Sequence, residues 1–365
     1  MASDRLVEHR ISAGQLFAAV TVAALLLVLA WLPLKGVPQS ADEAPGFDAH
    51  IYIAMAEAPA FFTLPPFGYR VLVPTLAQAL PLALEDAFFL LSVLGLLLTS
   101  VLGYVLFRVG GFSHSIALIG LVFLGAAPQA PLYLRNYFLV DPVALALMTA
   151  VLVSIEREAN GRTAFLLLLA SLAKESAFFV LPVLYLGLSR SRRVDGAAVR
   201  KVLLIALPAV AAVLLLRFGW SSGFAWFPYR PPPTLMREPW YGNFASWERL
   251  WRYSFGYLAI LAAANAASAE LRSFTIRYSP YLTLVLVQLL VATDGQRLLY
   301  FSFPVVIPLA LVEFDRISLR LPEWYPLLST LLVFSYLFLP TSLVVPLGIV
   351  GLARLLMMRR EAAPS

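Results

Sequence analysis

Five short polar motifs interrupt an otherwise apolar chain, and each carries residue types that can hold an anion or move a proton. The first is F-D-A-H-I-Y, with Asp48, His50 and Tyr52; the second, P-P-F-G-Y-R, supplies Tyr69 and Arg70. L-R-N-Y-F-L-V-D-P follows with Arg135 and Asp141, A-K-E-S with Lys174 and Glu175, and T-D-G-Q-R with Asp294 and Arg297. Arginine and lysine beside carboxylates suit an anionic phosphate gripped by charge-assisted hydrogen bonds, next to a hydroxyl that an aspartate deprotonates. An ordinary Asp is ionised at neutral pH, so it can accept that proton or ligate a metal. Asp48, His50 and Asp141 make a thin ligand set for a divalent cation, Mg or Mn, and leave the cofactor open.

Each motif also has a plain structural use. Asp48 would cap a helix over 49–58, and Asp141, followed by Pro142, fits a helix start with proline at the first position. Lys174 and Glu175 would neutralise one another, and Arg70 would snorkel to a lipid headgroup. Asp294 and Arg297, three apart, would pair at a helix end, and His50 alone reads as a structural or solvated histidine. What favours a site is the convergence of all five motifs on one side of a membrane.

That convergence depends on the elements between the motifs. The chain is 61% hydrophobic and only 13% charged over 365 residues, with mean hydropathy +0.82, which points to an all-α polytopic bundle in lipid. In that setting an ionisable residue outside the cytoplasmic loops is costly and marks function by default. The net charge of +6 then reads as cationic decoration of the cytoplasmic face, not as a nucleic-acid surface. Without cysteine, disulfides and thiolate metal sites are excluded. The segment 14–34 lacks a small-residue cleavage site and reads as a retained helix.

Apolar runs predict helices near 14–34, 87–107, 114–130, 137–154, 163–188, 202–218, 253–268, 279–292, 298–313, 325–339 and 343–357. Two segments decide the topology. Residues 71–84 are short and broken by Pro74 and Pro81, so they are expected to lie in the outer interface. Residues 163–188 as one helix would run about 39 Å against ~30 Å of hydrocarbon, so a hairpin of two short helices is expected. The result is about twelve crossings with both termini cytoplasmic, in one transmembrane domain over 1–365. It has a first extracytoplasmic loop with interfacial helices at 35–86 and an aromatic extracytoplasmic loop at 219–252. This arrangement puts 17 of the 27 Lys and Arg on the cytoplasmic side, as the positive-inside rule asks. The other ten are Lys35, Arg70, Arg135, Lys174, Arg217, Arg230, Arg237, Arg249, Arg252 and Arg297. The aromatic loop carries Trp220, Trp226, Trp240, Trp247 and Trp251, either an interfacial belt or a lid over a sugar or a lipid tail.

The order of motifs over roughly residues 10–190 resembles the GT-C superfamily of integral-membrane glycosyltransferases, which includes protein O-mannosyltransferases and the aminoarabinose transferase of lipid A. The resemblance rests on the acidic first loop, Leu64-Pro65-Pro66 leading to Arg70, the second outer-loop Asp and a lysine between two short helices. It implies that Asp48 is the catalytic base and that Asp141 and Lys174 match family positions. Two departures stand out: a single Asp at the first-loop position, with Asp42-Glu43 just upstream, and no large soluble C-terminal domain. Implied partners are membrane lipids, a polyprenyl-phosphate-linked sugar donor and an acceptor the sequence leaves undefined. Substrate-contact candidates are Tyr69, Arg70, His50, Tyr52, Arg135, Asp141, Lys174, Glu175, Asp294 and Arg297. Transfer would be inverting, at the extracytoplasmic face of the cytoplasmic membrane. The alternatives are a transporter or flippase of an anionic lipid or solute, and a polysaccharide polymerase; intramembrane charge and proline-broken helices suit a transporter too.

Overall fold

The computed structural model describes residues 11–34, 47–58, 68, 70–189, 194–216, 218, 246–290, 295–339 and 342–362, with backbone alone for Phe47, Asp48, Glu270 and Ala362. All regular structure among them is helical, with no strand. Four helices are long and apolar enough to cross a membrane: Ala13–Leu34, Leu84–Val109, Gly196–Leu215 and Gly295–Arg320. His114–Gly125 and Gln129–Arg135, bent by 45° at Pro128, would make a fifth if they form one span. Shorter apolar helices lie at Asn160–Ala173 and Tyr325–Phe338, the first ending at Lys174.

The N-terminal half is built on α4 (Leu84–Val109), the 26-residue helix against which α7 (Asp141–Glu156) packs along its length. The two touch backbone to backbone at Gly95: a Cβ there would lie 2.6 Å from the Pro142 carbonyl carbon, so only glycine fits. Ser92 Oγ donates to the Tyr137 carbonyl at 2.7 Å, which ties the approach to α7 onto the same helix face. Around this pair sit α1 (Ala13–Trp31), opened by a Ser12–Gln15 capping box, α5 (His114–Gly125) and α6 (Gln129–Arg135).

Two short helices of the first loop, α2 (Phe47–Glu57) and α3 (Leu72–Ala79), form a satellite core with the start of α4 and residues 137–140. Tyr52, Val73, Phe88 and Phe138 are buried there. At eight residues α3 spans about 12 Å, too short to cross a bilayer by itself.

The segment 163–188 is broken, not straight. Helix α8 (Asn160–Ala173) ends at Lys174, whose backbone is extended at φ −162° and ψ 137°. A 3-10 stretch, Glu175–Val180, and α9 (Leu181–Leu188) follow. Lys174 meets Asp141 at the start of α7, whereas a Cβ at Gly187 would lie 2.5 Å from Arg277, which pairs with Glu156 at the end of α7. The chain therefore turns back at Lys174, and the two pieces form a hairpin. Helix α10 (Gly196–Leu215) packs beside it.

The C-terminal half comprises α11 (Trp247–Phe255), α12 (Leu258–Ala266), α13 (Arg272–Gln288), α14 (Gly295–Leu299), α15 (Phe303–Arg320), α16 (Tyr325–Phe338) and α17 (Val344–Ala362). Its core is aromatic: Phe123 of α5 meets Tyr257, Phe314 and Tyr336 edge-on. Buried tyrosine hydroxyls donate to carbonyls freed by helix ends or kinks, Tyr281 to Phe301 at 2.6 Å and Tyr300 to Leu124 at 2.8 Å. Trp247 and Trp251 pack on the same core, ring against ring at 5.6 Å. The rest of the aromatic loop, 219–245, lies outside the described residues.

Candidate functional site

One extended residue organises the polar end of the bundle. Successive side chains of an extended backbone point in opposite directions, and at the hairpin tip Lys174 and Glu175 do so toward two different partners. Lys174 Nζ donates to Asp141 Oδ1 at 2.5 Å and lies 5.0 Å from the centre of the Phe301 ring. Glu175 accepts a forked contact from Arg70, Nε at 2.9 Å and Nη2 on the other oxygen. The two neighbours do not merely neutralise each other.

Asp141 is shared between two cations. Its Oδ1 faces Lys174, and its Oδ2 faces Arg297 Nη1 at 3.7 Å, on α14. It is the first residue of α7, with Val140 at the cap and no side-chain capping bond there. Its carboxylate is thus spent on Lys174 and Arg297, not on the helix end. The Lys174 and Asp141 side chains are only 4% and 3% exposed, so this pair is sealed from water.

Arg70 arrives from the first loop, held down by the satellite core. Besides Glu175, it donates from Nη1 to the Tyr52 hydroxyl at 3.0 Å. Burial alone would lower its pKa; the Tyr52 oxygen and the Glu175 carboxylate outweigh this and hold it well above the ordinary arginine value. The guanidinium is buried and paired and does not reach outward as a snorkelling arginine would. Ser176 and Gln288 pair at 3.1 Å and tie the tip to the end of α13.

Tyr52, Arg70, Asp141, Lys174, Glu175 and Arg297 are therefore in one place, from five segments far apart in sequence. Among the described residues three cations and two carboxylates meet there. Other candidates lie elsewhere or beyond the described residues. Arg135 is exposed at the end of α6, and His50 is exposed on α2. Tyr69, Asp294 and the side chain of Asp48 are outside the described residues; the backbone of position 48 is the second residue of α2, one turn before Tyr52. Among the described residues no three His, Cys, Asp or Glu stand close enough to hold a metal ion. At Asp141 a divalent cation would also meet Lys174 and Arg297.

A second charged cluster went unread in the sequence. Glu313, fully buried in α15, accepts from Arg354 of α17 at 2.8 and 3.0 Å and lies 3.4 Å from Arg316. Arg316 also donates to Asn265 Oδ1 at 2.7 Å, and Asn265 Nδ2 donates to the Leu309 carbonyl at 3.0 Å, beside Pro308. The signal was available: a lone glutamate inside the apolar run P-V-V-I-P-L-A-L-V-E.

Arg70, Lys174 and Arg297 pair with Glu175 and Asp141, whereas Arg277, Arg316, Arg320, Arg354 and Arg360 pair with Glu156, Glu313, Glu361 and Glu323. No family model, curated protein or solved structure matches this chain.

Proposed function

We propose that this chain is a polytopic membrane glycosyltransferase with a GT-C-like arrangement of about twelve crossings. It takes a sugar from a polyprenyl-phosphate carrier and transfers it, with inversion, to an acceptor at the extracytoplasmic face of the cytoplasmic membrane. The observation that carries this reading is the convergence of three cations, Arg70, Lys174 and Arg297, on one place where the Lys174–Asp141 pair is buried. Charged groups inside an apolar bundle are costly and mark function by default.

In this mechanism the donor phosphate binds Arg70, Lys174 and Arg297 while its tail lies among the helices. The Asp48 carboxylate takes the proton of the acceptor hydroxyl, and the freed oxygen lone pair attacks the anomeric carbon from the face opposite the phosphate. The anomeric carbon–oxygen bond breaks, and its electron pair stays on the phosphate oxygen, where the cations stabilise it. A phosphate is a weak base, so its departure needs positive charge more than a protonated carboxyl. Position 48 stands one turn from Tyr52, which touches Arg70, and so is on the same short helix as part of the cluster.

Purified protein incubated with polyprenyl-phosphate sugars should release polyprenyl phosphate, and Asp48→Asn should abolish that release. If the wild-type protein moves such lipids across a vesicle bilayer without consuming the glycosyl phosphate, the transporter reading replaces this one.

A further inference from the structure

The two ion pairs of the cluster are built differently. Lys174–Asp141 is sealed, whereas the Glu175 side chain is 38% exposed and the Arg70 it grips is 12% exposed. The Arg70–Glu175 contact is forked, two parallel N–H···O bonds, which is also the way arginine takes two oxygens of a phosphate. Glu175 opens a 3-10 stretch at the hairpin tip, where it is attached to an extended residue and not to a regular helix. Its neighbours on both sides are anchored independently, Lys174 to Asp141 and Ser176 to Gln288. The carboxylate can thus leave Arg70 for water without dismantling the tip.

We propose that Glu175 is an internal stand-in for the phosphate: it fills the Arg70 fork when no donor is bound, and the incoming phosphate displaces it. The inference rests on the reading of this end as a phosphate site. Glu175 is then a positioning residue that regulates affinity through Arg70. It keeps the fork ordered, and it imposes on every ligand the cost of breaking an existing ion pair, so that the observed affinity is the intrinsic one reduced by the fraction of open forks. The exchange also conserves charge around Arg70. One carboxylate goes out to water as one phosphate comes in, and Tyr52 stays hydrogen-bonded to the same guanidinium throughout.

The test uses the full-length protein in nanodiscs of zwitterionic lipid, titrated with polyprenyl phosphate and, in parallel, with uncharged polyprenol of the same length. The wild-type protein should prefer the phosphate. Glu175→Gln should bind the phosphate about tenfold more tightly, with polyprenol binding unchanged. Glu175→Asp, whose carboxylate is one methylene short of the fork, should fall between the two, and it serves if the glutamine variant does not fold. In an Arg70→Ala background the substitution at 175 should have no effect on phosphate binding, an outcome that a merely structural Glu175 would not produce. If the wild-type protein does not distinguish phosphate from alcohol, the reading of the site itself fails. If it does, but Glu175→Gln and Glu175→Asp bind phosphate no better than the wild type, the stand-in role is overturned and the phosphate site survives.

Discussion

The two charged clusters, one at the start of α7 and one on α15, use similar residues in inverted arrangements. At Glu313 the anion is fully buried, and its cations lean outward, with the Arg354 and Arg316 side chains 46% and 25% exposed. At Asp141 the cations are buried with the anion; Lys174 is 4% exposed and Arg297 14%. A buried carboxylate served by arginines whose heads reach water is a clamp: it joins α15, α17 and, through Asn265, α12, and it wants nothing further. At Asp141 the lysine is withdrawn from the surface together with its carboxylate, and the forked Arg70–Glu175 contact beside it is partly open. The place of the cation, at the surface or inside, is what separates the two clusters.

The largest effects should come from removing the main partner of either buried charge. Arg354→Ala leaves Glu313 with Arg316 alone, and Asp141→Asn takes the carboxylate from Lys174; each should cost up to about 3–5 kcal/mol of stability, read as thermal unfolding in detergent. The comparison breaks if the surviving Arg354→Ala protein also loses donor affinity, since a clamp should change stability without changing binding. Next comes Asp48→Asn, with turnover expected to fall about 10²-fold or more at unchanged unfolding temperature. A well-folded variant with ordinary turnover would remove Asp48 from the chemistry. Arg70→Ala and Arg297→Ala should each weaken donor binding by about 1.5–3 kcal/mol, with lysine restoring only part because the planar fork is lost. Gly95→Ala should destabilise by about 1–3 kcal/mol, because its methyl group pushes the Pro142 carbonyl and shifts the start of α7 that carries Asp141. Donor affinity that survives this shift intact would mean that the placement of Asp141 is not critical. Finally, single cysteines at His50 and Arg359 should react with an impermeant reagent from opposite faces of sealed vesicles; labelling of both from one face would merge the two ends that the comparison separates.

Much of the cluster's membership was legible because charge is scarce in this chain, so Arg70, Asp141, Lys174 and Arg297 stood out against their surroundings. The hairpin at Lys174 was legible from length alone, since 26 residues overrun the hydrocarbon. Pairing was not legible. Sequence offered Asp141 a capping role and Lys174 an adjacent partner, because neighbours are all that a linear reading can see. The structure pairs them with each other across 33 positions, where the end of α8 meets the start of α7. The Glu313 clamp was missed for the opposite reason: its arginines were already explained as cytoplasmic decoration, and the glutamate between them was passed over. The break at 126–128, where α5 and α6 diverge, fell inside a run read as one helix over 114–130, because hydropathy does not register a bend.

The extended residue at the hairpin tip also sets a ruler. Because Lys174 and Glu175 hold different partners across a single peptide, inserting or deleting one residue next to them would carry both side chains off Asp141 and Arg70. Both contacts would be lost at once. The spacing of this tip should therefore tolerate substitutions far better than any change of length, and the length of the hairpin is as much a part of the site as the side chains it carries.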